Sequence, residues 1–183
     1  MQKNKEESSW DGFAGDLFRR AYSFGLSACQ LAHVATAIAV VRQDSDVERS
    51  AFSGAHSPAI WFLAGFAFEL FLKSAIVAAG ANEAEIRAIG HDLAKTLEKA
   101  EQHGLELKDG TRFSIDVANR AHNGSGDNRF FFRYGGGESA DVETVDAMMT
   151  SLRDLLTQTA SLVDHPEASF ETFLLPFQTI RKS

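Results

Sequence analysis

The stretch that decides the fold is residues 57–80, which read SPAIWFLAGFAFELFLKSAIVAAG. Ser57 followed by Pro58 is typical of a helix N-cap and a first helical position, and Gly80 is typical of the residue just after a helix. Between these signals, apolar residues lie all around the helix rather than on one stripe. We therefore expect a central helix that its neighbours contact on several sides.

A long helix is predicted before this central one, over residues 10–42. Large apolar residues and alanines alternate here at heptad positions, in the pattern of one packed face: Leu17, Ala21, Phe24, Ala28, Leu31, Ala35 and Ile38. The alanines allow a neighbouring backbone to come close. Further helices are predicted over residues 83–89, 93–103, 113–122 and 141–164.

No stretch alternates in the manner of a strand, so the predicted fold class is all-α. We expect a helical bundle of about five helices, in which two long outer helices surround the buried apolar second helix. The chain is predicted to divide into a disordered N-terminus, a helical domain and an apolar tail that packs on the body or on a second subunit: residues 1–9, 10–166 and 167–183.

The composition excludes several classes of protein. The chain has 183 residues, 44% hydrophobic and 23% charged, which suits one soluble domain. Its net charge of −7 makes it a poor non-specific binder of nucleic acid. The start of the chain has no apolar segment of the signal-peptide type, and the uninterrupted apolar runs are shorter than a membrane span. We expect a cytoplasmic protein without a membrane partner.

Metal and cofactor sites are not predicted either. Cys29 is the single cysteine, so it can form no internal disulfide and no multi-cysteine zinc site, and its apolar neighbours predict a buried, inert thiol. The six histidines are scattered without the spacing of metal ligands. We therefore expect no cofactor and no metal.

Two charged residues interrupt the central helix. Glu69 and Lys73 are four positions apart with the acid first, which is the favourable order for a helical ion pair. One interpretation places both at the rim of the bundle, with the lysine reaching outward. The other turns Glu69 inward, where it orients an arginine from the 112–133 region.

His91 and Asp92 open the helix that follows. Asp92 is predicted as its N-cap, which explains the pair without catalysis. We therefore assign Glu69, Lys73, His91 and Asp92 structural or orienting roles.

Residues 108–134 differ from the rest in charge and in aromatic content. Five bases and three acids give this segment +2, while the remainder of the chain carries −9. Arginines beside aromatic rings suit phosphates and bases, so the candidate ligand-binding residues are Arg120, Arg129, Arg133 and Tyr134, with His122 as the candidate catalytic residue. In the alternative interpretation the aromatic residues anchor the segment to the core and the arginines pair with surplus acids.

Three stretches together resemble the HEPN superfamily of small helical bundles: FLAGFAFELFLKSAIVAAG (62–80), GHDLAKTLEKAEQHGL (90–105) and RFFFRY (129–134). The resemblance covers roughly residues 10–165. It implies an all-helical fold and a homodimer, and many HEPN proteins are metal-independent ribonucleases or toxin partners with an Arg-x(4–6)-His motif. Here a single residue separates Arg120 from His122, and positions two apart on a helix point to different sides.

The first hypothesis is therefore a HEPN-like binding or regulatory module that recognises a nucleotide, an RNA or a protein partner. One alternative is a metal-independent ribonuclease of toxin–antitoxin type, with His122 as acid and base. Another is a structural subunit that assembles through its tail, residues 167–183.

Overall fold

A computed structural model gives the fold and describes residues 3–47, 50–51, 57–123 and 144–163. This part of the chain contains six helices and no strand, so the all-α prediction is confirmed. The helices are α1 (Lys3–Val41), α2 (Ser57–Ala78), α3 (Glu83–Ile89), α4 (Leu93–Gln102), α5 (Asp109–Asn123) and α6 (Val145–Leu162).

The helix α2 is the centre of the bundle, as its all-round apolar sequence predicts. It packs against α1, α4, α5 and α6. Phe68, Phe71, Leu72 and Ile76 are completely buried, and each such side chain contributes about 1.5–3 kcal/mol through burial.

The helices α1 and α2 are antiparallel. The Ser74 hydroxyl donates to the Ala14 carbonyl oxygen over 2.7 Å, and the Phe24 and Phe66 rings stack with their centroids 5.5 Å apart. The predicted alanine seam is confirmed, since Ala21, Ala28 and Ala35 are all buried: Ala21 0%, Ala28 0% and Ala35 6% exposed.

The large residues of the predicted seam are less buried than the alanines. Leu17 is in the core, whereas Phe24 and Leu31 only pack at its edge and Ile38 is half-buried. The face in contact with α2 is instead rich in alanine, because a small side chain lets the two helix axes come close and a large one is pushed to the flank.

The bounds of α1, α5 and α6 differ from the sequence predictions. The helix α1 begins at Lys3 rather than near residue 10, because the polar start contains no glycine or proline stop before residue 12 and its Lys and Glu side chains favour helix. The helix α5 begins at Asp109 rather than at 113, and α6 covers Val145–Leu162 rather than 141–164. The tail, residues 167–183, lies outside the described residues.

The buried face of α5 contains polar as well as apolar side chains. Ser114, Ile115, Val117 and Ala118 are buried, whereas Phe113 is 54% exposed. The Ser114 and Ser151 hydroxyls lie 2.6 Å apart and join α5 to α6. A hydroxyl that finds a partner is stable in the core, so hydrophobic periodicity alone does not indicate that Ser114 is buried.

Two helices are long and apolar enough to cross a membrane by length and composition alone. They are Gly12–Val41 of α1 and all of α2, whose most apolar windows are 33% and 78% buried inside the protein. A criterion based on runs of apolar residues misses both helices, because Glu69 and Lys73 interrupt α2 and polar residues interrupt α1.

Candidate functional site

Four residues of α2 and of the α3–α4 turn form a polar cluster that extends from the core to the surface: Glu69, Lys73, Gly90 and His91, called here the Glu69 cluster. The Lys73 Nζ donates to Glu69 Oε1 over 2.6 Å and to the Gly90 carbonyl oxygen over 2.5 Å. The His91 Nδ1 lies 3.0 Å from the same Glu69 oxygen. The cluster therefore links the central helix to the start of α4.

The local backbone explains why these groups meet. Glu69 and Lys73 lie on one side of α2 because they are one helical turn apart. Gly90 has φ 64° and ψ −132°, a conformation that only glycine adopts readily, and it aims its carbonyl at α2. Asp92 then caps α4, since its side chain accepts from the Lys95 N–H over 3.1 Å. The predicted N-cap is confirmed.

Burial separates the members of the Glu69 cluster into two groups. The side chains of Glu69 and Lys73 are 5% and 9% exposed, while that of His91 is 82% exposed. The predicted position of Lys73 at the rim, reaching into solvent, is therefore wrong. The lysine stays inside because a carboxylate and a carbonyl oxygen both accept hydrogen bonds from its ammonium group. These bonds offset much of the free energy that its desolvation costs.

The inward orientation of Glu69 agrees with the second interpretation of the sequence, but its partners differ. Among the described residues they are Lys73 and His91, and no arginine contacts it. The one sequence signal for the cluster is an acid–base pair inside a helix that is apolar on every side. Nothing in the spacing indicates that His91 would reach Glu69, because that contact depends on how α4 packs against α2.

Chemically, the Glu69 cluster is an exposed imidazole oriented by a buried carboxylate. When Nδ1 donates to the carboxylate, Nε2 is the proton-accepting nitrogen of the neutral ring. That arrangement is suited to proton transfer at the surface of the protein.

The cations of α5 are paired with acids. Arg120 is exposed and lies 3.0 Å from Asp116. Arg112 donates to Glu101 over 2.5 Å, and this hydrogen bond, more than any other interaction, raises the pKa of its guanidinium above the usual value. For these two arginines the structure shows the pairing with acids that the alternative interpretation of the sequence expects.

The remaining candidate residues of segment 108–134 lie at the edge of the described part of the chain or outside it. His122 lies in the last turn of α5, and its side chain is outside the described part of the chain. Arg129, Arg133 and Tyr134 lie outside the described residues altogether.

A groove of about 510 Å³ runs between the start of α5 and α6. Hydroxyl groups and charged side chains line it, including Thr111, Thr144, Thr150, Ser151, Lys108 and Asp154. Lys108 and Asp154 form an ion pair of 2.8 Å at its edge. Within the described ranges, no three His, Cys, Asp or Glu side chains are close enough together to hold a metal ion.

Cys29 is buried and its Sγ lies against the Met149 Sδ. Burial raises the pKa of the thiol to about 12. The burial that the sequence predicts is confirmed, and it favours the protonated thiol over the thiolate, which is the reactive form.

Comparisons with known proteins identify no relative. No family model, no curated protein and no solved structure matches the chain.

Proposed function

We propose that the protein is a HEPN-like binding module that recognises a nucleotide or a short single-stranded RNA through the cationic, aromatic segment around the end of α5. The observation that carries this proposal is the position of Arg120, exposed near the end of α5 immediately before the stretch with Arg129, Arg133 and Tyr134. The all-helical bundle is consistent with the fold that the HEPN resemblance implies.

The charge distribution supports a short ligand rather than a long one. Residues 108–134 carry +2 and the rest of the chain carries −9. A long polyanion would extend beyond this segment and meet the acidic remainder, which repels it. A nucleotide or a short RNA end needs only one or two phosphate contacts, which arginine provides in bidentate form, and a ring on which a base stacks.

Binding is tested by fluorescence anisotropy with labelled short single-stranded RNA and with nucleotides at several salt concentrations. We expect salt-sensitive binding that weakens about tenfold to a hundredfold in Arg133→Ala and in Arg120→Ala, because a charged hydrogen bond contributes about 1.5–3 kcal/mol. Arg87→Ala is the matched control. Arg87 is also an exposed arginine paired with an acid four positions before it, Glu83, but it lies on α3, away from the proposed site in sequence. Absence of salt-sensitive binding, or equal losses in all three variants, contradicts the proposal.

A second candidate is a metal-independent ribonuclease, and one observation favours it: Glu69 orients the exposed imidazole of His91. The candidate acid–base residues are then His91 and His122. We expect RNA cleavage in the presence of EDTA that is abolished by His91→Ala or by His122→Ala, with the helical circular dichroism spectrum unchanged. Equal inactivity of wild type and both variants on varied RNAs would exclude this candidate.

A further inference from the structure

The outward face of α1 lacks charge over most of its length. Residues 21–41 contain no Asp, Glu, Lys or Arg. At about 100° per residue, one line along the helix takes in Ser23, Ser27, Gln30, Val34, Ala37 and Val41, which together are called here the α1 face. Such a face is unusual, because the solvent side of a helix ordinarily carries charged side chains.

Four of the six residues of the α1 face are exposed, and Ser27 and Ala37 are half-buried. Among the described residues, α1 packs along α2 and, to a smaller extent, against α6, and its completely buried residues lie on its alanine-rich side: Ala21, Ala28, Cys29 and Ala32. Val34 and Val41 are 46% and 82% exposed, and Ser23 and Gln30 are exposed as well. Uncharged side chains of mixed polarity on an open surface are typical of an interface between proteins.

The charges at the two ends of the α1 face are opposite. The segment just before the α1 face has a net charge of +1, from Asp16, Arg19 and Arg20. The segment just after it has a net charge of −1, from Arg42, Asp44 and Asp46. A second copy of α1 laid antiparallel across the first would bring each positive end to a negative end. The two helix dipoles would also oppose each other favourably.

We infer that the α1 face is the interface of a homodimer in which two α1 helices pack antiparallel. Pairing Arg20 of one protomer with the acidic Asp44 position of its partner places the two-fold axis near residue 32. Such an isologous contact uses the same surface on both protomers and closes on itself. The inference does not depend on the proposed function, because it concerns a different surface.

A second copy fits the α1 face better than a lipid bilayer does. The exposed amide of Gln30 would lose its hydrogen bonds to water in hydrocarbon, whereas the Ser27 hydroxyl already donates to the Ser23 carbonyl oxygen within α1. With the two-fold axis near residue 32, the two Gln30 positions are about 6 Å apart along the helix, so their amides can bond to each other. The valines provide the apolar contact between the two helices.

Sedimentation velocity over a range of concentrations tests the dimer. We expect the wild type to sediment at twice the 20.0 kDa mass of the chain. Val34→Glu places a carboxylate beside the two-fold axis, and we expect it to weaken dimerisation by at least about tenfold. Phe113→Glu is the matched control, because Phe113 is equally exposed but lies on α5, and we expect it to leave the mass unchanged.

Crosslinking tests the antiparallel geometry. With the axis near residue 32, two Val34→Cys side chains lie close together, whereas two Ser23→Cys side chains are separated by about 27 Å along the helix. A short bismaleimide reagent should therefore couple Val34→Cys into a covalent dimer and leave Ser23→Cys monomeric. The buried native Cys29 does not compete for the reagent.

Several results would overturn the inference. A monomeric wild type at all concentrations excludes it. A dimer that withstands Val34→Glu but is lost on deletion of residues 167–183 assigns assembly to the tail instead. Flotation of the wild type with phosphatidylcholine vesicles, reduced by Val34→Glu, assigns the α1 face to a membrane. Efficient crosslinking of Ser23→Cys shows a parallel arrangement.

Discussion

Replacing Lys73 by methionine is expected to lower the free energy of unfolding by about 3–5 kcal/mol. The substitution keeps the approximate volume of the side chain but leaves the buried Glu69 carboxylate and the Gly90 carbonyl without their shared donor. The measurement is urea denaturation followed by circular dichroism. Glu69→Leu should be destabilising to a similar extent, because it leaves the buried Lys73 ammonium group with the Gly90 carbonyl oxygen but without a counter-charge.

The double variant Glu69→Leu/Lys73→Met separates the ion pair from its surroundings. Removing both charges leaves no isolated buried ion, so we expect the double variant to be more stable than either single variant. Arg87→Met is the control: Arg87 also pairs with an acid four positions before it, but both side chains are exposed, and the loss should stay within about 0.5 kcal/mol. If the two single losses simply add in the double variant, the buried pair does not act as a unit.

Replacing Phe71 by alanine is the second substitution with a large expected effect, a loss of about 3–5 kcal/mol in the free energy of unfolding. Phe71 is fully buried in the middle of α2, and its ring meets that of Phe18 on α1 edge-on with the centroids 5.6 Å apart. The loss combines the transfer energy of the ring with the cavity that it leaves between the two helices. It is measured by urea denaturation, as for Lys73.

Two variants provide the comparison for Phe71. Phe71→Leu keeps most of the volume and should lose clearly less than Phe71→Ala. Phe113→Ala removes the same ring from an exposed position and should change the stability by about 0.5 kcal/mol at most. A small loss in Phe71→Ala would mean that α2 is not the centre of the cooperative unit.

The histidine that reaches Glu69 shows where sequence reasoning ends. His91 and Glu69 are 22 positions apart, and no periodic pattern relates them. Their contact exists because Gly90 turns the chain and α4 packs against α2. The same holds for Ser114 and Ser151, whose mutual hydrogen bond places two polar residues in the core.

Local signals in the sequence by themselves determined the helical class, the central position of α2, the alanine seam of α1 and the cap at Asp92. Each of these follows from side-chain size, backbone preference and burial of apolar surface within a short stretch, so neighbouring residues suffice to specify it. Only the tertiary structure decided that Lys73 is buried, that Glu69 holds His91 and that Phe113 faces solvent. A polar or aromatic side chain is stable on either side of a helix until packing supplies or withholds its partner.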